Sequence, residues 1–240
     1  MSDWYTLSTT VDPSRCDSAG LLAIDHAFAM FMDIAGRHAE VLGVGMVPML
    51  AKGLFWLTVR TKVRFLRRPA MLEAVALSTR PIAPSGTRCV REYRMEAGGE
   101  PLILGKTEWA VMDVRMGGLV PIADVFPEGT QMAPAPDFDA PFVRVTGSLA
   151  RAELLGEYTV RSTDIDLGGH MNNAAYLRAA LGLFSVARLK EMDPKEAEVV
   201  FLAPCFEGEA LAFRVRERDG GTDFAAFRPD GKLALLGRLA

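Results

Sequence analysis

The segment running from Asp164 through Asp166, Gly168, Gly169, His170, Asn172 and Asn173 to Tyr176 crowds acid, imidazole and carboxamide side chains into the entrance of a helix-like stretch. Helix capping accounts for part of it, because an Asn side chain accepts a hydrogen bond from an orphan N–H of the first turn. Gly168 and Gly169 permit a tight turn. Neither need calls for a histidine or a second aspartate. Asp166 and His170, four residues apart across a turn, are placed to approach within hydrogen-bond reach. Asp166 then serves as general base on water or as the attacking carboxylate, with His170 orienting or protonating. Backbone N–H groups at the helix start polarise a substrate carbonyl. This is a hydrolytic site that needs no metal. For Asn172 and Asn173, capping and catalysis both stay open.

Bulk properties exclude several other chemistries. The 240-residue chain is 50% apolar, enough for a sizeable core. A net charge of -3 and a pI near 5.7 give no basic excess for neutralising nucleic-acid phosphates. The three cysteines, Cys16, Cys89 and Cys205, are odd in number and lack metal-type spacing. They read as reduced thiols, and the expectation is a cofactor-free cytoplasmic protein. No signal-peptide pattern opens the chain and no run approaches the roughly 20 apolar residues of a membrane span. Of three histidines, His26 and His38 fall in the first helix-like stretch and read as ordinary partly buried residues.

The elements that must position the segment are repeated. Tyr5-Thr6 and Tyr158-Thr159 each precede an aspartate, a glycine-containing turn and an apolar helical stretch. Val63-Arg64-Phe65-Leu66 matches Val199-Val200-Phe201-Leu202, and Glu73-Ala74 matches Glu209-Ala210, both at one offset (199 − 63 and 209 − 73 give 136). The first repeat carries an insertion around Gly36 to Leu54. Within it, a strand at Tyr5 to Thr10 precedes a buried helix marked by Leu21, Leu22, Ile24, Phe28, Phe31, Ile34 and Ala35. From Leu57 to Phe65 apolar and polar residues alternate, as in a strand with Thr58, Arg60, Lys62 and Arg64 on the solvent side. Strands at Glu73 to Arg80, Arg88 to Met95 and Ile103 to Val114 complete a meander. The second repeat has a helix through Tyr176, Leu177, Ala180, Leu181, Phe184 and Ala187, with Gly182 inside it. Its strands run Glu198 to Leu202, Glu209 to Glu217, Thr222 to Phe227 and Lys232 to Leu239, with Asp219-Gly220 and Asp230-Gly231 at turns. The expected division is a first repeat over 1–120, a surface linker over 121–152 rich in Pro, Ala and Asp, and a second repeat over 153–240. One long helix wrapped by an antiparallel sheet, twice over, is an α+β class and the pattern of a double (tandem) hotdog.

The segment resembles the acyl-ACP thioesterases of plants and bacteria, in which D-x-D-x-N-x-H-x-N-N-x-x-Y opens the helix of the second hotdog repeat. Asp164, Asp166, His170, Asn172, Asn173 and Tyr176 occupy the matching positions. Ala39-Glu40, Leu42-Gly43, Trp56, Arg68-Pro69, Ser78-Thr79-Arg80 and Trp109 extend the resemblance over nearly the whole chain. It implies hydrolysis of a fatty acyl thioester on acyl carrier protein, with Asp166, His170 and Asn172 in catalytic parts. Substrate contacts are expected from Asn173, from Cys205 beside the site, and from the basic cluster Arg64, Arg67 and Arg68, suited to a phosphopantetheine phosphate or an acidic carrier protein. Nucleic acid and membrane are not expected partners, and a homodimer stays open. Two positions depart from the family: Gly168 stands where the plant enzymes carry Asn, and Pro204 where they carry the Glu before the cysteine. Three alternatives follow: Asp166 and His170 work alone, Glu207 is recruited, or activity is weak. Acyl-CoA hydrolysis and a catalytically weak acyl-binding hotdog are the competing functions. Met30, Met32, Met46 and Met49 read mostly as core, and flexible methionines along the inserted segment are candidates to line an acyl tunnel.

Overall fold

The computed structural model describes residues 4–143, 145 and 148–240. Residues 1–140 and 141–240 form two compact units. In the first unit β1 (Tyr5–Thr10) leads to the 18-residue helix α1 (Ile24–Val41) and the short α2 (Met46–Ala51). The strands β2 (Leu54–Phe65), β3 (Ala74–Pro81), β4 (Cys89–Ala97), β5 (Glu100–Asp113) and β6 (Leu119–Val120) follow. The sheet runs β1-β3-β4-β5-β2, with β6 beside β5, all pairs antiparallel.

In the second unit β7 (Glu153–Thr159), α3 (Asn173–Gly182) and α4 (Val186–Met192) precede β8 (Glu196–Phe201), β9 (Ala210–Arg218), β10 (Gly221–Phe227) and β11 (Leu233–Leu239). Its antiparallel order, β7-β9-β10-β11-β8, is that of β1-β3-β4-β5-β2 in the first unit. The internal repeat of the sequence is therefore a repeat of topology. Both β3 and β9 begin at the alanine after the matched glutamate.

The helix packs on the sheet because sheet residues make room for it. Phe31 of α1 stacks on Tyr93 of β4 with ring centroids 5.0 Å apart. Gly105 of β5 has no side chain, and a Cβ there would lie 2.8 Å from the Phe31 ring. The insertion of the first repeat folds as the end of α1 and all of α2. It is fastened by the Trp56 indole N–H, which donates to the Val44 carbonyl (2.8 Å).

Three expectations are revised. Lys62, assigned to a solvent face, is 3% exposed, and β2 carries an irregularity between Thr58 and Arg60 that breaks the simple alternation. Gly182 does not sit inside a helix: α3 ends there, and the Ser185 hydroxyl caps α4 by accepting from the Arg188 N–H (3.1 Å). The helix of the second repeat is thus 10 residues, not one long element. Across the expected linker, Ile122 and Val125 are buried with Val44, Met49, Cys89 and Val111. Arg144, Thr146 and Gly147 of that stretch lie outside the described residues.

Candidate active site

In the second unit the segment 164–173 forms a closed loop before α3. The Asn172 N–H donates to the Asp164 carbonyl (2.8 Å), and the Asp166 N–H to the His170 carbonyl (3.0 Å). The Gly169 N–H donates to the Asp166 carbonyl (3.0 Å), with Gly169 at φ 76°, a conformation that favours glycine. The Met171 N–H donates to the Cys205 carbonyl (2.8 Å), pinning the loop to the turn after β8.

The loop brings Asp166 and His170 together. Oδ1 of Asp166 accepts from the Gly168 N–H (2.8 Å) and lies 3.9 Å from His170 Nδ1. The two side chains are 29% and 28% exposed, open enough to meet a substrate. Nδ1 of His170 also faces the Met171 carbonyl at 3.4 Å. A proton on Nδ1 would face both oxygens and leave the ring lone pair on Nε2. Such pairs are often long without substrate and tighten in the complex.

Asn172 caps α3, its Oδ1 accepting from the Ala174 N–H (2.9 Å). Asn173 is the first residue of that helix. Cys205 is fully buried and touches the loop through its backbone. Burial raises its thiol pKa above the ordinary 9.0, so it is no thiolate nucleophile. Glu207 is exposed and makes no ion pair among the described residues.

Beneath the loop lies a carboxylate that sequence reasoning left without a part. Asp164, 2% exposed, accepts from the Tyr158 hydroxyl (2.7 Å), the Arg161 N–H (2.9 Å) and the Arg178 guanidinium (2.8 Å). Burial works against its charge, but the Arg161 N–H, Tyr158 and Arg178 together hold its pKa below the ordinary 3.8. No local pattern in the chain marks this part, because its donors are brought together only by the fold. Replacing Asp164 by Ala is expected to cost about 2–3 kcal/mol by stranding these donors. It should also slow turnover, because the Asp164 side chain ties the start of the loop to Tyr158, Arg161 and Arg178. Thermal melts and kcat check both; a variant melting with wild type removes the anchoring part.

The arginine cluster lies in the first unit, and two of its members, Arg67 and Arg68, already hold carboxylates. Arg67 grips Glu73 with two hydrogen bonds (2.6 and 2.8 Å). That pairing, with the Ala70 N–H, lowers the Glu73 pKa to about 2. Arg68 binds Asp17. Arg64 stands over the Phe138 ring, 5.1 Å from its centroid. The structure thus gives Arg67 and Arg68 partners within the chain that any phosphate must displace.

The first unit also holds a cavity of about 190 Å³ between α1, α2 and the sheet. Met32 and Met46 line it, as do Trp56 and Trp109, whose rings meet edge to face at 6.2 Å. Met30 and Met49 are core. One charged side chain, Arg91, is part of the wall. Among the described residues no three His, Cys, Asp or Glu side chains gather as a metal site, and no helix is long and apolar enough to cross a membrane.

Residues 3–128 match the model of the acyl-ACP thioesterase N-terminal domain, and residues 148–225 that of the C-terminal domain. Among solved structures, an acyl-ACP thioesterase from Bacteroides thetaiotaomicron superposes with TM-score 0.87 at 17% identity, covering 100% of this chain and 99% of that one. The 12:0-ACP thioesterase of Umbellularia californica gives TM-score 0.81 at 16% identity, with 100% and 97% covered. At these identities the likeness carries the double hotdog fold. No curated protein matches the sequence.

Proposed function

The chain belongs to the acyl-ACP thioesterase family, an enzyme family of thioester hydrolysis, and from that premise we propose that Asp166 and His170 carry the reaction. What supports this is their juxtaposition at 3.9 Å in a loop held on both sides by backbone hydrogen bonds. The Nδ1–H tautomer lets His170 Nε2 take a proton from water as its oxygen attacks the thioester carbonyl carbon. Asp166 steadies the imidazolium through Nδ1. The C–S bond then breaks, and the departing phosphopantetheine sulfur takes the proton back from His170.

Asp166 becomes the orienting carboxylate in this scheme and His170 the base, one of two orders the residue types allow. Asn172 acts by setting the helix that carries the loop. The scheme uses Asp166 and His170 without a third carboxylate. The cavity of the first unit suits a length of aliphatic chain, its methionines adapting to the chain's shape. The carrier is acyl carrier protein, and the setting is fatty acid metabolism in the cytoplasm.

The carrier is tested with matched palmitoyl-ACP and palmitoyl-CoA. A kcat/KM at least about tenfold higher for the ACP ester is expected, since protein–protein contact adds binding that a free nucleotide lacks. Equal efficiencies would replace ACP by CoA or by an indifferent specificity.

A further inference from the structure

On β4 the side chains of Cys89, Arg91, Tyr93 and Met95 share one face and all are buried. Tyr93 stacks on Phe31 of α1, so this is the core face beneath the helix. Arg91, 6% exposed, therefore carries a guanidinium into a layer of apolar residues. Its Nη1 lies 2.9 Å from His38 Nδ1 and 3.3 Å from Thr79 Oγ1. His38 stacks flat on Tyr5 (4.9 Å, 3° between planes), and burial, reinforced by Arg91, pushes its pKa down to about 4. The imidazole is neutral and its Nδ1 is an acceptor.

Both partners are uncharged. The carboxylate next in sequence, Glu92, is spent elsewhere, on Arg80 (3.0 Å) and the Phe138 N–H (2.6 Å). Glu40 is exposed, with its carboxylate against Gly45 at the cavity wall. Among the described residues Arg91 has no carboxylate partner, and no group accepts from its Nε or Nη2. A buried guanidinium stays charged and is costly unless paired and fully hydrogen-bonded. The cavity wall of which it is part is otherwise almost wholly apolar. At about 190 Å³ the space is small beside the roughly 300–1,000 Å³ of ordinary ligand pockets, so it takes a short stretch of chain.

We propose that this cavity selects an aliphatic acyl chain whose far end bears an oxygen acceptor, a hydroxyl or a carboxylate, with Arg91 as the residue that recognises it. A plain methyl-terminated chain would leave the guanidinium unpaired in the wall. A terminal oxygen accepts the remaining donors, and a carboxylate also supplies the missing counter-charge. The inference rests on the thioesterase reading only for its choice of an acyl chain as ligand.

Trp56 and Trp109 line the cavity, so their fluorescence reports its occupancy without turnover. Wild type, Arg91→Met and Arg91→Lys are titrated with decanamide, 10-hydroxydecanamide and sebacic monoamide, which cannot be hydrolysed as thioesters. In wild type an oxygen-terminated probe is expected to bind at least about tenfold tighter than decanamide. The hydroxyl and carboxylate arms tell which oxygen is favoured. Arg91→Met should abolish the preference and Arg91→Lys keep part of it. Equal affinities in wild type, no binding of any probe, or an intact preference in Arg91→Met would overturn the proposal. The wild-type comparison decides even if Arg91→Met does not fold. Hydrolysis of the corresponding thioesters is measured separately: selective binding without hydrolysis would sink the enzyme reading alone, and hydrolysis without selectivity this inference alone.

Discussion

Asp166→Asn lowers kcat/KM for acyl-ACP by about three orders of magnitude while leaving the fold intact. The carboxamide keeps an oxygen to accept from the Gly168 N–H, so the turn survives. Two things are lost. The negative charge that steadies the His170 imidazolium is gone, and an amide N–H facing Nδ1 pushes the ring toward the tautomer with its lone pair on the wrong nitrogen. Each is a transition-state effect, so the loss should appear in kcat rather than KM. Steady-state kinetics beside a melt check it. A folded variant within about tenfold of wild type would remove Asp166 from the mechanism.

The largest stability effect is expected at Asp223, 0% exposed in the middle of the second unit's sheet. It sits opposite Arg216 of β9 and Arg238 of β11 in the strand register. Its oxygens accept from Arg238 (2.8 Å), Arg218 (2.8 Å) and Arg216 (3.2 Å). Asp223→Ala strands Arg238, itself only 8% exposed, and should cost about 3–5 kcal/mol. The carboxyl pKa is the resultant of burial, which raises it, and of Arg218, Arg238 and Arg216, which more than reverse that and hold it below 3.8. A depressed folded pKa means stability that is fully present above the unfolded value and is lost as pH falls through the folded one. Denaturant unfolding at neutral and acid pH tests both statements. A cost under about 1 kcal/mol at neutral pH would show that the cluster is well solvated.

Much of the fold is legible because hydrophobic periodicity and turn residues act locally. The offset shared by Val63 with Val199 and Glu73 with Glu209 located β2 and β8, β3 and β9. Asp219-Gly220 makes its turn with both residues at positive φ (47° and 70°), as a two-residue hairpin requires. Gly182 misled for a local reason: periodicity continues through Phe184 and Ala187, but the cap at Ser185 restarts the helix. Lys62 misled because period two reports a face and not what covers it.

At the site, the pairing of Asp166 with His170 follows from a spacing of four across a glycine turn. The part of Asp164 does not, because its three donors come from Tyr158, Arg161 and Arg178, and only folding assembles them. Arg91 was legible in principle. It interrupts an apolar face between Cys89 and Tyr93, and a charge at such a position needs a reason. His38, read as an ordinary partly buried residue, is its neutral partner.

The most direct test of the Asp166–His170 pair is a single-turnover assay on palmitoyl-ACP with wild type, Asp166→Asn, His170→Ala and the double variant. The expected result is hydrolysis by wild type, losses of about 100-fold or more in each single variant, and a double variant no slower than the worse single one, because the two groups act as a unit. Either single variant turning over at the wild-type rate, or a well-folded wild type that leaves the thioester intact, would contradict it.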